Sequence, residues 1–225
     1  GAVQALLASD TKQGEDPPDI DIIELAEQWS DWANRAESGE PMGLDNGVHL
    51  KTGVEVVDVK FNGFVSNLNV IGGTASMGKT AFVAECVWNW LKAGVKGGII
   101  GLEDGTKWLT RRHLSRALGI PVAMVGVSAL HEYQQGTLND WMERTSEMYR
   151  RTLRIHRAGG IDAPGLLAKV QQWIAEGARW VVIDHGLRVN YAAGRDARRY
   201  DMAIGQTLDA LATLGDRNKC AIIVN

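Results

Sequence analysis

Cysteine is scarce: two residues, Cys86 and Cys220, in a chain of 225. That excludes the disulfide framework of a small secreted domain. Both lie in apolar surroundings and are expected to be reduced core residues of a cytosolic protein. Excess positive charge is also missing. Lys and Arg number 24 against 27 Asp and Glu, a net charge of −3. There is no global basic footprint for nucleic acid, so any such contact has to be local. No apolar run approaches the ~20 residues needed to cross a bilayer, and no signal peptide is expected. The five histidines show no metal-ligand spacing. There is no internal repeat and no low-complexity tract. What remains, 45% hydrophobic and 23% charged residues, suits one large α/β domain, or one with a short appendage. The first residue is Gly and the last residues form an apolar strand. Both features predict a polypeptide that was longer at each end.

The stretch Gly73-Thr74-Ala75-Ser76-Met77-Gly78-Lys79-Thr80, followed by Ala81, fits G-x-x-x-x-G-K-[ST], a phosphate-binding loop. Gly73 and Gly78 let the backbone aim successive N–H groups at a phosphate. Lys79 adds a full positive charge. The Thr80 hydroxyl is a hard oxygen ligand suited to Mg²⁺. An apolar strand is expected at 68–71 and a helix at 81–91, whose positive dipole end faces the anion. ATP with Mg²⁺ is the cofactor this arrangement calls for.

The rest of the chain alternates. Residues 1–18 are polar and irregular. Ile22, Leu25, Ala26, Trp29, Trp32, Ala33 and Ala36 then recur at helical spacing, with Asp19 or Asp21 as cap. Such a stripe, outside the nucleotide core, predicts docking on a neighbouring subunit; folding back on its own domain is the alternative. Residues 52–71 read as short strands or turns broken at Asn62-Gly63. Further strands are expected at 97–102, 153–156, 180–184 and 221–224, with helices at 106–118, 163–176 (Asp162 as cap and Pro164 in the first turn) and 200–214. Residues 119–149 look helical in pieces, with Trp141 and Met148 as core. The expected division is 1–40 as linker and docking helix, and 41–225 as the ATPase domain. Strands alternating with helices predict an α/β fold, a mainly parallel sheet with helices on both faces.

In such sheets ligands bind at the carboxyl ends of the strands. Three groups fall there: the loop, Glu103 and Asp184. Val181-Val182-Ile183-Asp184 is an apolar strand ending in a carboxylate suited to Mg²⁺. Glu103 is the candidate general base for a water in line with the γ-phosphate, with Asp104 as runner-up. After Asp184 come Arg188, Arg195, Arg198 and Arg199 with Tyr191 among them. Cations with an aromatic suit a single-stranded phosphate backbone; a solvated loop is the plainer alternative. His185 either joins the site or packs structurally.

These residues carry a resemblance. Ser76-Met77-Gly78-Lys79-Thr80-Ala81-Phe82 resembles the phosphate loop of DnaB-type replicative helicases. Thr52-Gly53 with Asp58 and Gly63 is similar to the family's segment leading into it. Gly101-Leu102-Glu103 resembles its Ser-Leu-Glu strand end, and Val182-Ile183-Asp184 its Mg²⁺ strand. The resemblance implies a RecA-like ATPase domain preceded by a linker helix that packs on the adjacent subunit, and a hexameric ring around single-stranded DNA. It gives Lys79 and Thr80 the binding role, Asp184 the metal and Glu103 the base. Primase or a loader is an implied partner, and the cytoplasm, of a cell or of a virus's host, the implied location. The family's N-terminal helical domain is not expected within these 225 residues. Its phosphate-sensing Gln and its arginine finger fall beyond Asn225, and such fingers are worth ~10³–10⁵ in rate. Two other readings stay open: a RecA-like recombination or repair ATPase, and an ATP-dependent assembly or loader protein with little hydrolysis.

Overall fold

The computed structural model describes residues 49–74, 77–102, 107–125, 132–157, 159–191 and 197–225. The side chains of Lys107, Glu132, Tyr133, Leu187, Ala197, Arg198 and Arg199 are excepted. All these residues belong to one compact unit, 44–225. The expected linker and docking helix, 1–40, lies outside the described residues.

The core is a five-stranded parallel sheet, built from β3 (Leu68–Val70), β4 (Gly97–Gly101), β5 (Leu153–Arg157), β6 (Trp180–Asp184) and β7 (Ala221–Val224). Their order is β3-β7-β6-β4-β5. Every residue of β4 and β6 is buried, the near-continuous apolar pattern of strands covered on both faces. Alternation then assigns the faces. Ile99, Trp180, Val182, Ala221 and Ile223 join Val83, Val87, Trp90 and Leu91 of helix α2 (Lys79–Lys92) in one cluster. The opposite face meets α5 (Ala163–Ala175), whose Leu166, Leu167, Val170 and Trp173 are buried. Each such fully buried aliphatic side chain contributes about 1.5–3 kcal/mol.

Two tryptophans need room that only glycine leaves. A Cβ on Gly97 would lie 2.1 Å from Cδ2 of Trp180, and one on Gly98 2.3 Å from Cζ3 of Trp173. The two glycines point to opposite faces, so β4 is clasped by an indole on each side.

The expected helices are present: α3 (Lys107–Leu118), α5 and α6 (Ala197–Arg217). Asp162 caps α5, its Oδ1 accepting from Gly165 N at 2.9 Å. Residues 119–149 hold helical pieces, as the sequence reading expects, the longer extending to Thr152. A single helix, α4 (Glu132–Thr152), runs 21 residues and follows a 3₁₀ turn at Val122–Met124. Its side chains Thr145 and Thr152 bond back to Trp141 O and Met148 O. Trp141 and Met148 are half-buried, and Met148 packs against the core. Cys86 and Cys220 are free and buried. No helix among the described residues is long and apolar enough to cross a membrane.

The segment 52–71 also departs from the sequence reading. It opens with a helix, α1 (Glu55–Phe61), set between β1 (His49–Leu50) and β2 (Phe64–Val65), which pair antiparallel. Helix α1 has no buried residue; polar ties hold it. The Asp58 carboxylate accepts from Thr52 N (2.7 Å), Thr52 Oγ1 (2.8 Å) and Gly53 N (2.8 Å). From α2, Asn89 Nδ2 donates to Thr52 O at 3.0 Å and Trp90 Nε1 to Lys51 O at 2.7 Å. Gly53 sits at φ 74, and a Cβ there would meet the Asn89 side chain at 2.4 Å. Thr52, Gly53 and Asp58 are therefore a staple that fixes the approach to the phosphate loop.

Candidate nucleotide site

Two residues, Ile71 and Gly72, separate β3 from the loop. Ile71 N donates to Val224 O at 2.9 Å, so the chain stays in register with β7 up to the point where the loop departs. Gly72, Gly73 and Thr74 are exposed. Gly78 is the N-cap of α2, at φ 92 and ψ 11, a left-handed geometry that disfavours a side chain. Its carbonyl accepts from Phe82 N at 2.9 Å, which starts the helix. Ala75 and Ser76 lie outside the described residues. Met77, at the loop's tip, is 72% exposed.

Lys79 folds back over the loop. Its Nζ donates to Gly73 O at 2.7 Å and Thr74 O at 3.0 Å. The ammonium is thus held by two carbonyls of the loop. Thr80 is half-buried in the first turn of α2, and Ala81 follows it there.

Register places Asp184 at the same edge. Gly101 of β4 is opposite Asp184, and Ile183 is opposite Val224, which is opposite Val70. One strand, β7, separates β3 from β6, so the two strand ends lie roughly 10 Å apart at ~4.8 Å per strand. Asp184 is only 3% exposed. Its carbonyl accepts from Leu102 N at 3.4 Å, which brings the chain past Asp184 immediately before Glu103. Glu103 and Asp104 lie outside the described residues. Among the described residues no cluster of three or more His, Cys, Asp or Glu suits a metal. A cation here would take Thr80, Asp184 and phosphate oxygens, the donor set Mg²⁺ favours with nucleotides.

His185 follows in the left-handed region, φ 62. Its side chain is exposed, with Nε2 3.9 Å from Asp184 Oδ1, so it is at the site and not a packed structural histidine. Gly186 N donates to Asn225 O at 3.1 Å and opens a 3₁₀ turn, Gly186–Arg188.

Of the proposed DNA-contacting residues, Arg188 is exposed on that turn. Arg195 lies outside the described residues. Arg198 and Arg199 fall in the first turn of α6, their side chains undescribed. Tyr191 does not serve as a base-stacking platform. It is 8% exposed, its hydroxyl donates to Gly186 O at 2.8 Å, and its ring packs edge-on against Tyr200 at 5.6 Å. Burial and the neighbouring Tyr200 raise its phenol pKa.

The sequence reading missed Asn225. It ends the apolar strand β7 between the loop and Asp184, and its N donates to Ile183 O at 3.2 Å. Its Oδ1 is buried without a hydrogen-bond partner among the described residues. A polar residue closing an apolar strand, the signal that marked Asp184, marks Asn225 as well.

Comparison with known proteins bears on the family and the fold. The family model for the DnaB-like helicase C terminal domain matches residues 49–224. Among solved structures, an ATPase domain superposes with a TM-score of 0.70 at 22% identity, covering 93% of this chain and 71% of its own. A DnaB-like replicative helicase, studied with its interactions with primase, gives a TM-score of 0.70 at 21% identity. That match covers 99% of this chain but 52% of the helicase, so the chain spans about half its length. At such identities the likeness establishes a shared fold. No curated protein matches the sequence.

Proposed function

Since the chain belongs to the DnaB-like helicase C-terminal domain family, a family of replicative helicase ATPase domains, we propose that it hydrolyses ATP to drive a ring-shaped motor along single-stranded DNA. The observation that carries this reading is the shared edge. The loop with Lys79 and Thr80, and the buried carboxylate of Asp184, stand at the carboxyl ends of strands separated by one neighbour.

In this reading Gly73 to Ala81 hold the phosphates, and the Lys79 ammonium exchanges its two loop carbonyls for phosphate oxygens. Thr80 and Asp184 hold Mg²⁺, which supplies positive charge to those oxygens. Glu103 accepts a proton from the attacking water. Arg188, with Arg195, Arg198 and Arg199, takes the DNA backbone. The helical stripe from Ile22 to Ala36 docks on a neighbouring copy to close a ring. A structural neighbour that interacts with primase supports a primase, or a loader, as a further partner.

The test is the ATPase rate of the full protein with and without single-stranded DNA, with Lys79→Ala as control. Stimulation by DNA that disappears in the control supports the motor. A Lys79-dependent rate indifferent to DNA removes translocation from the reading, and no Lys79-dependent hydrolysis removes the ATPase.

A further inference from the structure

Strands β6 and β7 end side by side in two polar residues. Ile183 is paired with Val224, and Asn225 N donates to Ile183 O at 3.2 Å. The ladder thus runs one step past its last apolar pair and sets Asn225 beside Asp184, at the ~4.8 Å spacing of neighbouring strands. Side chains along a strand alternate between faces. Trp180 and Val182 of β6, with Ala221 and Ile223 of β7, lie in the cluster packed on α2. Two residues on, Asp184 and Asn225 fall on that same face. Ile71 packs against the cluster too, its N bonded to Val224 O on the other flank of β7. Asn225 therefore stands between the strand that leads into the phosphate loop and the strand that ends in Asp184. It does so on the face covered by α2, whose first residue is Lys79.

The chemistry of the pair is one-sided. An ionised carboxylate only accepts hydrogen bonds, and so does an amide oxygen. Asp184 is 3% exposed, and Asn225 Oδ1 is buried without a hydrogen-bond partner among the described residues. Buried acceptors left in this way are rare, because the group gives up water and receives nothing in return. Another apolar residue could close β7 as Ile222 and Ile223 continue it, without that cost. What satisfies the oxygen is a donor, and a phosphate oxygen is not one. Water on a divalent cation is. At nucleotide sites Mg²⁺ keeps several waters and takes only one or two carboxylates directly. Waters retained around a cation at Asp184 need acceptors, and Asn225 Oδ1 is an acceptor on the adjoining strand.

We propose that Asn225 is a positioning residue of the cation site, its Oδ1 accepting a hydrogen bond from a water of the Mg²⁺ shell beside Asp184. The proposal rests on the nucleotide reading above and adds an outer acceptor to it. Metal-free nucleotide binding is left to the loop.

The experiment titrates Mg²⁺ into the full protein in the presence of a fluorescent ATP analogue. It reads nucleotide affinity in EDTA, the Mg²⁺ midpoint for tightening, turnover and Tm. The variants are Asn225→Leu, similar in shape with no acceptor, Asn225→Asp, which keeps an acceptor, and Lys79→Ala. Asn225→Leu should raise the Mg²⁺ midpoint about 5–10-fold, the worth of one charge-assisted hydrogen bond. Its affinity in EDTA should stay within about twofold and its Tm should not fall. Asn225→Asp should return the midpoint to the wild-type value or below. A wild-type midpoint in Asn225→Leu overturns the proposal. So does an equal loss of affinity with and without Mg²⁺, the behaviour of a merely structural residue. A fall in turnover at an unchanged midpoint also overturns it, by moving Asn225 to the attacking water. Should Asn225→Leu fail to fold, Asn225→Asp decides, and a midpoint raised above wild type overturns the proposal. In all these cases Lys79→Ala still weakens nucleotide binding, and the nucleotide reading stands. Absence of Lys79-dependent nucleotide binding in the unaltered protein overturns both.

Discussion

Replacing Gly78 by alanine separates backbone strain from steric collision inside the phosphate loop. Gly78 sits at φ 92, yet a Cβ there would meet nothing within 4 Å. The whole penalty is therefore conformational, about 1–2 kcal/mol for an L-residue held in the left-handed region. Met77 and Gly78 are exposed, so the peptide between them can turn to relax, and folding stability then changes little. The strain returns when phosphate requires the original orientation of the N–H groups. A cost of 1–2 kcal/mol corresponds to roughly 5–30-fold weaker binding. Gly72→Ala is the internal control. It has open space around it, and its φ is outside the left-handed region. Titration of each variant with a fluorescent ATP analogue and Mg²⁺, alongside thermal unfolding, reads both quantities. The expected outcome is 5–30-fold weaker binding for Gly78→Ala with Tm nearly unchanged, and neither effect for Gly72→Ala. Wild-type affinity in Gly78→Ala would refute the claim that this backbone geometry is what the nucleotide uses. Equal loss in Gly72→Ala would show that the loop tolerates no methyl anywhere, and that φ is irrelevant.

Gly98→Ala should act on stability instead. Its Cβ would sit 2.3 Å from Trp173, an overpacking that costs about 1–3 kcal/mol. Tm should fall by about 4–8 °C for a cost of ~2 kcal/mol in a chain of this size, while Gly159→Ala, with open space around it, should not move it. The pH dependence of stability follows from His113. Burial lowers its pKa, with Arg116 in the same direction and Ala84 O and Glu85 opposing. The unfolded state then binds a proton near pH 6.5 that the native state refuses. Stability is fully present above that value and is lost as pH falls below it. Tm measured from about pH 7 to about pH 5.5 should decline, and His113→Asn should flatten the decline, the remainder coming from His49, lowered by burial and Lys51. An equal decline in His113→Asn would remove His113 as its source.

The features legible in the sequence are those whose causes are local. The loop is recognisable because each glycine, the lysine and the threonine do their work within eight residues of chain. Helix α5 announces its start through Asp162 and Pro164, and its end through Gly177 at φ 92. Strands β4, β6 and β7 announce themselves by continuous apolar runs. Helix α1 does not. Its Val-Val-Asp-Val run has strand-like composition, and it buries nothing that would set a helical period. It is a helix because Asp58 reaches back to Thr52 and Gly53 while Asn89 and Trp90 grip the same turn from α2. Tyr191 was misleading for the same reason. In sequence it stands among arginines, a pairing that suggests stacking with bases. In the fold a carbonyl five residues away takes its hydroxyl, and Tyr200 covers its ring.

The site illustrates why strand ends carry more information than strand interiors. Interior positions of β6 and β7 need only be apolar and of suitable size, and many residues satisfy that. Their final positions obey another rule. A strand buried on both faces has no packing reason to finish in Asp184 or to continue into Asn225, because each polar group there costs desolvation. Asp184 is 3% exposed and Asn225 leaves a buried oxygen without a partner among the described residues. Both stand at the sheet edge from which the glycine-rich segment at 73–80 departs. Parallel register brings them to that loop, since Val70, Val224 and Ile183 are successive partners across three strands. The chemistry of the site thus follows from where apolar runs stop, and its spacing follows from the sheet.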